Sequence, residues 1–166
     1  PAGESKSAFF DHQSGAFFRK IDWAAFWTAG IVTLISYILT LAPTVTLEDS
    51  GELAVAPDYL GVPHPPGYPS WTLFTWFFQW IFGWVRYYGQ PNPAWSVALA
   101  SAFAGAVACG VLALLVSRSG GDMLRGMKKA NDLLGYSTES LFCWVGGVAA
   151  GLLLAFSPVM WSQSVI

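Results

Sequence analysis

Three long runs without a charged side chain constrain this chain more than anything else in it. Trp23–Ala42, Ala94–Ser117 and Leu141–Trp161 contain no Asp, Glu, Lys or Arg. As helices of about 20 residues or more, each can cross a hydrocarbon layer of roughly 30 Å, and a helix satisfies its own backbone there. Composition agrees. The chain is 54% hydrophobic and 11% charged, where a soluble domain carries roughly 25% charged residues. Its mean hydropathy is +0.48. The sequence therefore predicts an all-α integral membrane protein with about three transmembrane helices.

A fourth apolar stretch, Pro69–Val85, is decided by charge. If it crossed the membrane, an inside N-terminus would leave 118–140 outside with Arg118, Arg125, Lys128 and Lys129. That opposes the tendency of basic loops to stay cytoplasmic. If it lies in the interface or dips in and returns, every basic residue except Arg86 is inside. The stretch is also short for a span and crowded with Trp, which favours the headgroup level. Trp76, Trp80 and Trp84 recur every four residues, on one helical face.

The expected order is a cytoplasmic tail over 1–22, a span over 23–43 and an external loop over 44–93. A second span over 94–117, a basic cytoplasmic loop over 118–140 and a third span over 141–161 follow. Residues 162–166 begin a second external loop. Within the first loop, Gly51–Leu60 fits a short helix ended at Pro57 or Gly61, and Pro63–Pro69 is expected to be extended and stiff. Gly147 and Gly151 allow close helix packing in a crowded bundle without a dedicated dimer motif. Cys109 and Cys143 lie inside apolar runs and read as buried thiols. The first 20 residues lack the apolar core of a signal peptide. With an end at Ser164-Val165-Ile166 in apolar sequence, the chain reads as a piece of something longer.

The external loop concentrates the chemistry. Glu48, Asp49, Glu52 and Asp58 fall there, followed by Pro63-His64-Pro65-Pro66-Gly67-Tyr68. Ionisable groups beside a bilayer are costly without a use for them. Asp49 and Glu52 also fit a capping box, in which one carboxylate caps a helix and the other reaches back. The two roles are compatible. Glu48 and Asp58 read as solvated charges. His64 is either a turn residue bonded to backbone or a side chain held rigidly for a ligand. No metal-ligand cluster, phosphate-cradling glycine loop or basic aromatic patch for nucleic acid is present in the sequence.

The segments Thr44–Ala54 and Leu60–Pro69, together with Phe156-Ser-Pro-Val-Met-Trp-Ser-Gln163, resemble the N-terminal signature of a bacterial membrane family. That family is related to protein O-mannosyltransferases of the class C glycosyltransferase superfamily. The resemblance implies the N-terminal portion of a polytopic enzyme in a bacterial inner membrane, its N-terminus cytoplasmic. Such an enzyme takes a sugar from a polyprenyl-phosphate donor and transfers it on the non-cytoplasmic face to a protein or envelope acceptor. The resemblance makes Asp49, which matches the acidic residue of the family motif, and its neighbour Glu52 the catalytic candidates. His64, Pro65, Pro66, Gly67 and Tyr68 fall where donor contacts are expected, and Trp76 and Trp80 are candidates for seating the lipid tail. The implied partners are the polyprenyl-linked donor and membrane lipid, with no nucleic acid. No cofactor is expected, and a divalent metal is left open. The competing reading is a non-catalytic subunit anchoring a larger membrane complex. A transporter fits less well, since the three runs hold no charge.

Overall fold

Small residues decide how the long helices meet. The computed structural model describes residues 17–46, 49–65, 67–127 and 135–165. Helix α1 spans Lys20–Leu39, α2 Ser50–Asp58, α3 Pro69–Phe82, α4 Pro93–Gly126, α5 Tyr136–Ala155 and α6 Pro158–Val165. A two-residue antiparallel ladder, β1 (Arg86–Tyr87) on β2 (Gln90–Pro91), joins α3 to α4. Stretches of α1, α4 and α5, over Lys20–Leu39, Pro93–Leu124 and Ser137–Ala155, are long and apolar enough to cross a membrane. The all-α membrane architecture expected from sequence is the one observed.

On α4, Ala98, Ala102, Ala106, Cys109, Ala113 and Ser117 are all buried. They recur every three or four residues and so form one stripe along the helix. Facing it, α1 buries Ala25, Ala29, Thr33 and Tyr37. Helix α5 closes the seam with Gly147 and Gly151. A Cβ on Gly147 would stand 2.5 Å from the Ala113 carbonyl oxygen, and one on Gly151 would stand 2.7 Å from that of Cys109. The backbones are thus in near contact, which lets dispersion and backbone dipoles hold helices together where lipid removes the hydrophobic drive. Tyr37 anchors one end of the seam by donating its hydroxyl to the Ala155 carbonyl at 2.8 Å. Both cysteines are buried and free, as expected.

The opposite end holds a polar cluster that the sequence did not disclose. Asp22 is fully buried. It accepts the Arg19 guanidinium at 2.8 Å, the Arg19 backbone N–H at 2.8 Å and the Ser117 hydroxyl at 2.7 Å. Arg19 also donates to the Ser117 carbonyl and pairs with Glu139 at 3.4 Å. Gly121 leaves the room that this guanidinium fills. Asp22 was expected in a polar tail, with the span starting at Trp23. Instead α1 starts at Lys20, and its first turn carries a charge into the bundle because Arg19 and Ser117 satisfy it.

Two further boundaries differ. Helix α4 does not stop at Ser117 but continues to Gly126, so much of the expected 118–140 loop is helical. Contact with Arg19 supports that extension despite Gly120 and Gly121. The third apolar run is not one helix. It breaks after Ala155, because Pro158 lacks the N–H to continue it and restricts the residue before it. The Ser157 hydroxyl donates to the Leu154 carbonyl and accepts the Met160 N–H, fixing the break. The residues expected to begin a second external loop lie largely in α6.

Helix α3 has 14 residues, about 21 Å at 1.5 Å per residue, too short to cross the hydrocarbon layer. Its polar positions Thr72, Thr75 and Gln79 are buried, while Leu73, Trp76, Phe77 and Trp80 are exposed. This inverts a soluble amphipathic helix and suits a helix lying against lipid. It packs across the start of α4, with Phe82 against Trp95 at 6.0 Å and Phe78 against Phe103 at 5.8 Å between ring centroids. Trp84 lies beyond the helix end, not on its face.

The near contact at Gly151 predicts that Gly151→Ala lowers thermal stability in detergent by about 1–3 kcal/mol, because the added methyl meets backbone. Gly146 has nothing within 4 Å of its would-be Cβ. Gly146→Ala should therefore be neutral or raise stability by up to about 1 kcal/mol. Thermal unfolding of the two variants checks the pair.

Candidate functional site

The loop after α1 is drawn back onto the bundle by backbone bonds. The Ala42 N–H donates to the Val165 carbonyl at the end of α6, 2.8 Å away. The Asn92 amide donates to the Pro43 carbonyl at 2.6 Å, while its oxygen caps α4 by accepting the Trp95 N–H. These ties bring the starts of α2 and α4 and the end of α6 around one cavity of about 470 Å³. Its floor is Ala94, Val97, Ala98 and Ser101 of α4, small side chains that leave space. Asp49, Ser50, His64, Tyr68, Trp71 and Gln163 supply its polar and aromatic walls. The volume falls within the usual range for small-molecule sites.

Asp49 occupies the N-cap position of α2, yet its side chain makes no capping hydrogen bond. Ser50 is engaged instead, its hydroxyl accepting the Thr46 N–H at 3.1 Å. The capping-box arrangement is therefore absent, and the Asp49 carboxylate lines the cavity. Glu52 turns the other way. Its Oε1 accepts the His64 backbone N–H at 2.5 Å and its Oε2 lies 3.1 Å from His64 Nδ1. Accepting that N–H, and secondarily the ring bond, holds the Glu52 carboxyl below its ordinary value. One carboxylate faces the cavity and the other holds the histidine.

The segment after Pro63 is a tight turn and not the extended strut expected. The Gly67 N–H closes it by donating to the His64 carbonyl at 3.0 Å. Gly67 has φ +99°, and a Cβ there would meet Val62 at 2.9 Å, so glycine is required. Tyr68 follows in the left-handed region with φ 42°, and Pro69 opens α3. His64 and Tyr68 meet edge to face at 5.8 Å, both on the cavity wall. Pro65 is in the turn but not among the lining residues. Glu48 and Pro66 lie outside the described residues. The Gly67 amide is already bonded within the turn, so it is not an open donor for a ligand. Asp58 is exposed and away from the cavity.

Trp76 and Trp80 are not brought to the cavity. They sit on the outward face of α3, where Trp80 is 71% exposed. Trp71 lines the cavity in their place. It precedes Trp76 by five residues, about 140° around a helix, so periodicity alone could have separated it from the lipid-facing set. Gln163 ends the Phe156–Gln163 segment that carries part of the family resemblance. Ser101 stands in a run of small residues with nothing to mark it. Among the described residues, no group of three His, Cys, Asp or Glu side chains gathers as metal ligands.

Residues 49–166 match the family described as the protein O-mannosyl-transferase TMEM260 N-terminal domain. The chain is 30% identical over 135 residues to the protein O-mannosyl-transferase tmem260 of Dictyostelium discoideum, covering 79% of this chain and 13% of that protein. It is 34% identical over 114 residues to protein O-mannosyl-transferase TMEM260 of Mus musculus, covering 69% of this chain and 15% of that protein. The matched region is thus a small part of each relative's length. No solved structure matches.

The Glu52 clamp has a pH signature. A carboxyl held low in the folded loop favours that loop above its ordinary value of 4.5, and the contribution disappears as pH falls through the lowered value. An NMR titration of Glu52 should therefore give a midpoint below 4.5. His64→Ala, which removes the ring bond but keeps the backbone N–H, should return it part of the way.

Proposed function

Because the chain belongs to the family of the protein O-mannosyl-transferase TMEM260 N-terminal domain, we propose that it forms the first membrane part of a polytopic glycosyltransferase. Its class C-like enzyme moves a sugar, mannose by the names of its relatives, from a polyprenyl-phosphate donor to an acceptor hydroxyl on a protein or envelope component. The reaction takes place on the non-cytoplasmic face of a membrane, a bacterial inner membrane in our reading, with the N-terminus cytoplasmic. This chain alone is expected to be inactive, since among the described residues its cavity offers one carboxylate and one imidazole and no arginine or lysine for a phosphate.

The observation that carries the reading is the uncommitted Asp49 carboxylate on the cavity wall beside His64. As the acceptor oxygen bonds to the anomeric carbon, its O–H bond breaks and Asp49 takes the proton. The bond from that carbon to the phosphate oxygen breaks, and its electrons leave with the phosphate. His64 contacts the departing phosphate. Ser101 and Gln163 are hydrogen-bonding groups for the sugar, and Trp71 is an apolar face for it. The outward aromatic face of α3, with Trp76 and Trp80, holds the surrounding lipid. The side of the bundle fits as well. Arg19 and Arg118 sit at the end opposite the cavity, where basic residues accumulate on the cytoplasmic side.

General-base catalysis contributes roughly 10²–10⁴-fold. Asp49→Asn in the full-length protein should lower sugar transfer by that factor and leave membrane insertion unchanged, with Asp58→Asn as a neutral control. Transfer from a panel of polyprenyl-linked sugars is the assay. Full activity of Asp49→Asn removes Asp49 from the mechanism.

A further inference from the structure

Both oxygens of Glu52 are given to one residue. Twelve positions separate it from His64, yet Oε1 receives the backbone N–H and Oε2 faces Nδ1 at 3.1 Å. An ionised carboxylate only accepts, so Nδ1 must carry a proton in either charge state of the ring. The opposite nitrogen, Nε2, is then the one left for the cavity that His64 lines. We infer that Glu52 is a positioning residue: it holds Nδ1–H of His64 and so sets the ring's direction, leaving Nε2–H of the protonated ring to serve an anionic oxygen of a phosphate ligand. The inference rests on the donor proposed above and reassigns Glu52, which the sequence paired with Asp49 as catalytic.

The chemistry of the clamp makes this specific. When His64 is protonated, Nδ1–H stays on Glu52 and Nε2–H donates into the cavity, a charge-assisted bond to phosphate. When it is neutral, Nε2 presents a lone pair that repels an anion. The groups facing His64 are few among the described residues. Helix α2 gives Glu52 and, along the same cavity, Asp49; the turn itself gives Tyr68. Helix α3 offers Trp71, and α4 and α6 present uncharged lining residues, including Ser101 and Gln163.

Glu52→Gln separates orientation from mere support of the loop. The glutamine oxygen can still accept the His64 backbone N–H, but its NH₂ then donates toward the ring. Nδ1 must become the acceptor, which moves the neutral ring's proton to Nε2 and opposes a second proton. The test uses the protein in nanodiscs with ¹⁵N-labelled histidine, where His12 and His64 are the two histidines to resolve. Farnesyl phosphate is the probe. The wild type should show a proton on Nδ1 of His64 and bind farnesyl phosphate. Glu52→Gln should invert the tautomer and bind farnesyl phosphate about tenfold more weakly, the order of one charge-assisted bond. Glu52→Ala guards against misfolding: it should abolish the preference for Nδ1–H while the Asp22 end of the bundle keeps its hydroxyl and amide protection. An unchanged tautomer in Glu52→Gln overturns the assignment. An inverted tautomer without farnesyl phosphate binding in the wild type supports the positioning role and overturns the phosphate-donor reading instead.

Discussion

The seam at which α1, α4 and α5 approach to near-backbone distance fixes everything above it. Gly147 and Gly151 stand against the Ala113 and Cys109 carbonyls on one side and the Ala25 and Ala29 methyls on the other. Any larger side chain would push α5 off both partners at once. Because the three helices are held at that spacing, the loop leaving α1 reaches the start of α4 and the end of α6. Asn92 then grips Pro43, and Val165 grips Ala42. The cavity is the space these ties enclose, so its shape follows from residues far from any chemistry.

The two ends of the bundle handle charge differently. At one end, Asp22 is buried but accepts four hydrogen bonds, so the cost of removing it from water is offset by Arg19 and Ser117. At the other, Asp49 is left without a capping partner and faces open space. The first arrangement binds helices together. The second leaves a carboxylate available to whatever enters. Glu52 lies between these cases: it is ionised, half-exposed and committed wholly to His64.

Much of this was readable from residue order. Uncharged length picked out the three helices that are long and apolar enough to cross a membrane, and the shorter α3 is not one of them. What escaped were features set by distant partners. Asp22 reads as a tail residue until Ser117 is folded against it. Where α4 continues past Ser117, Arg19 from the start of α1 packs on Gly121, a contact between residues far apart in sequence. The turn at His64–Gly67 depends on one hydrogen bond and one positive φ, where proline content suggested a straight segment. Asp49 and Glu52 share a capping spacing, and nothing local told that one would face a cavity and the other a histidine.

The account stands on the acidic loop and the Arg19–Asp22 cluster occupying opposite sides of a membrane. Single cysteines at Val62 and Met123, 83% and 68% exposed, can report this in a chain whose Cys109 and Cys143 are replaced by alanine. A membrane-impermeant maleimide applied to the non-cytoplasmic face should label position 62 at once and position 123 only after the membrane is opened. Labelling of both positions from the same side, in sealed membranes, would contradict the placement and the reaction centre built on it.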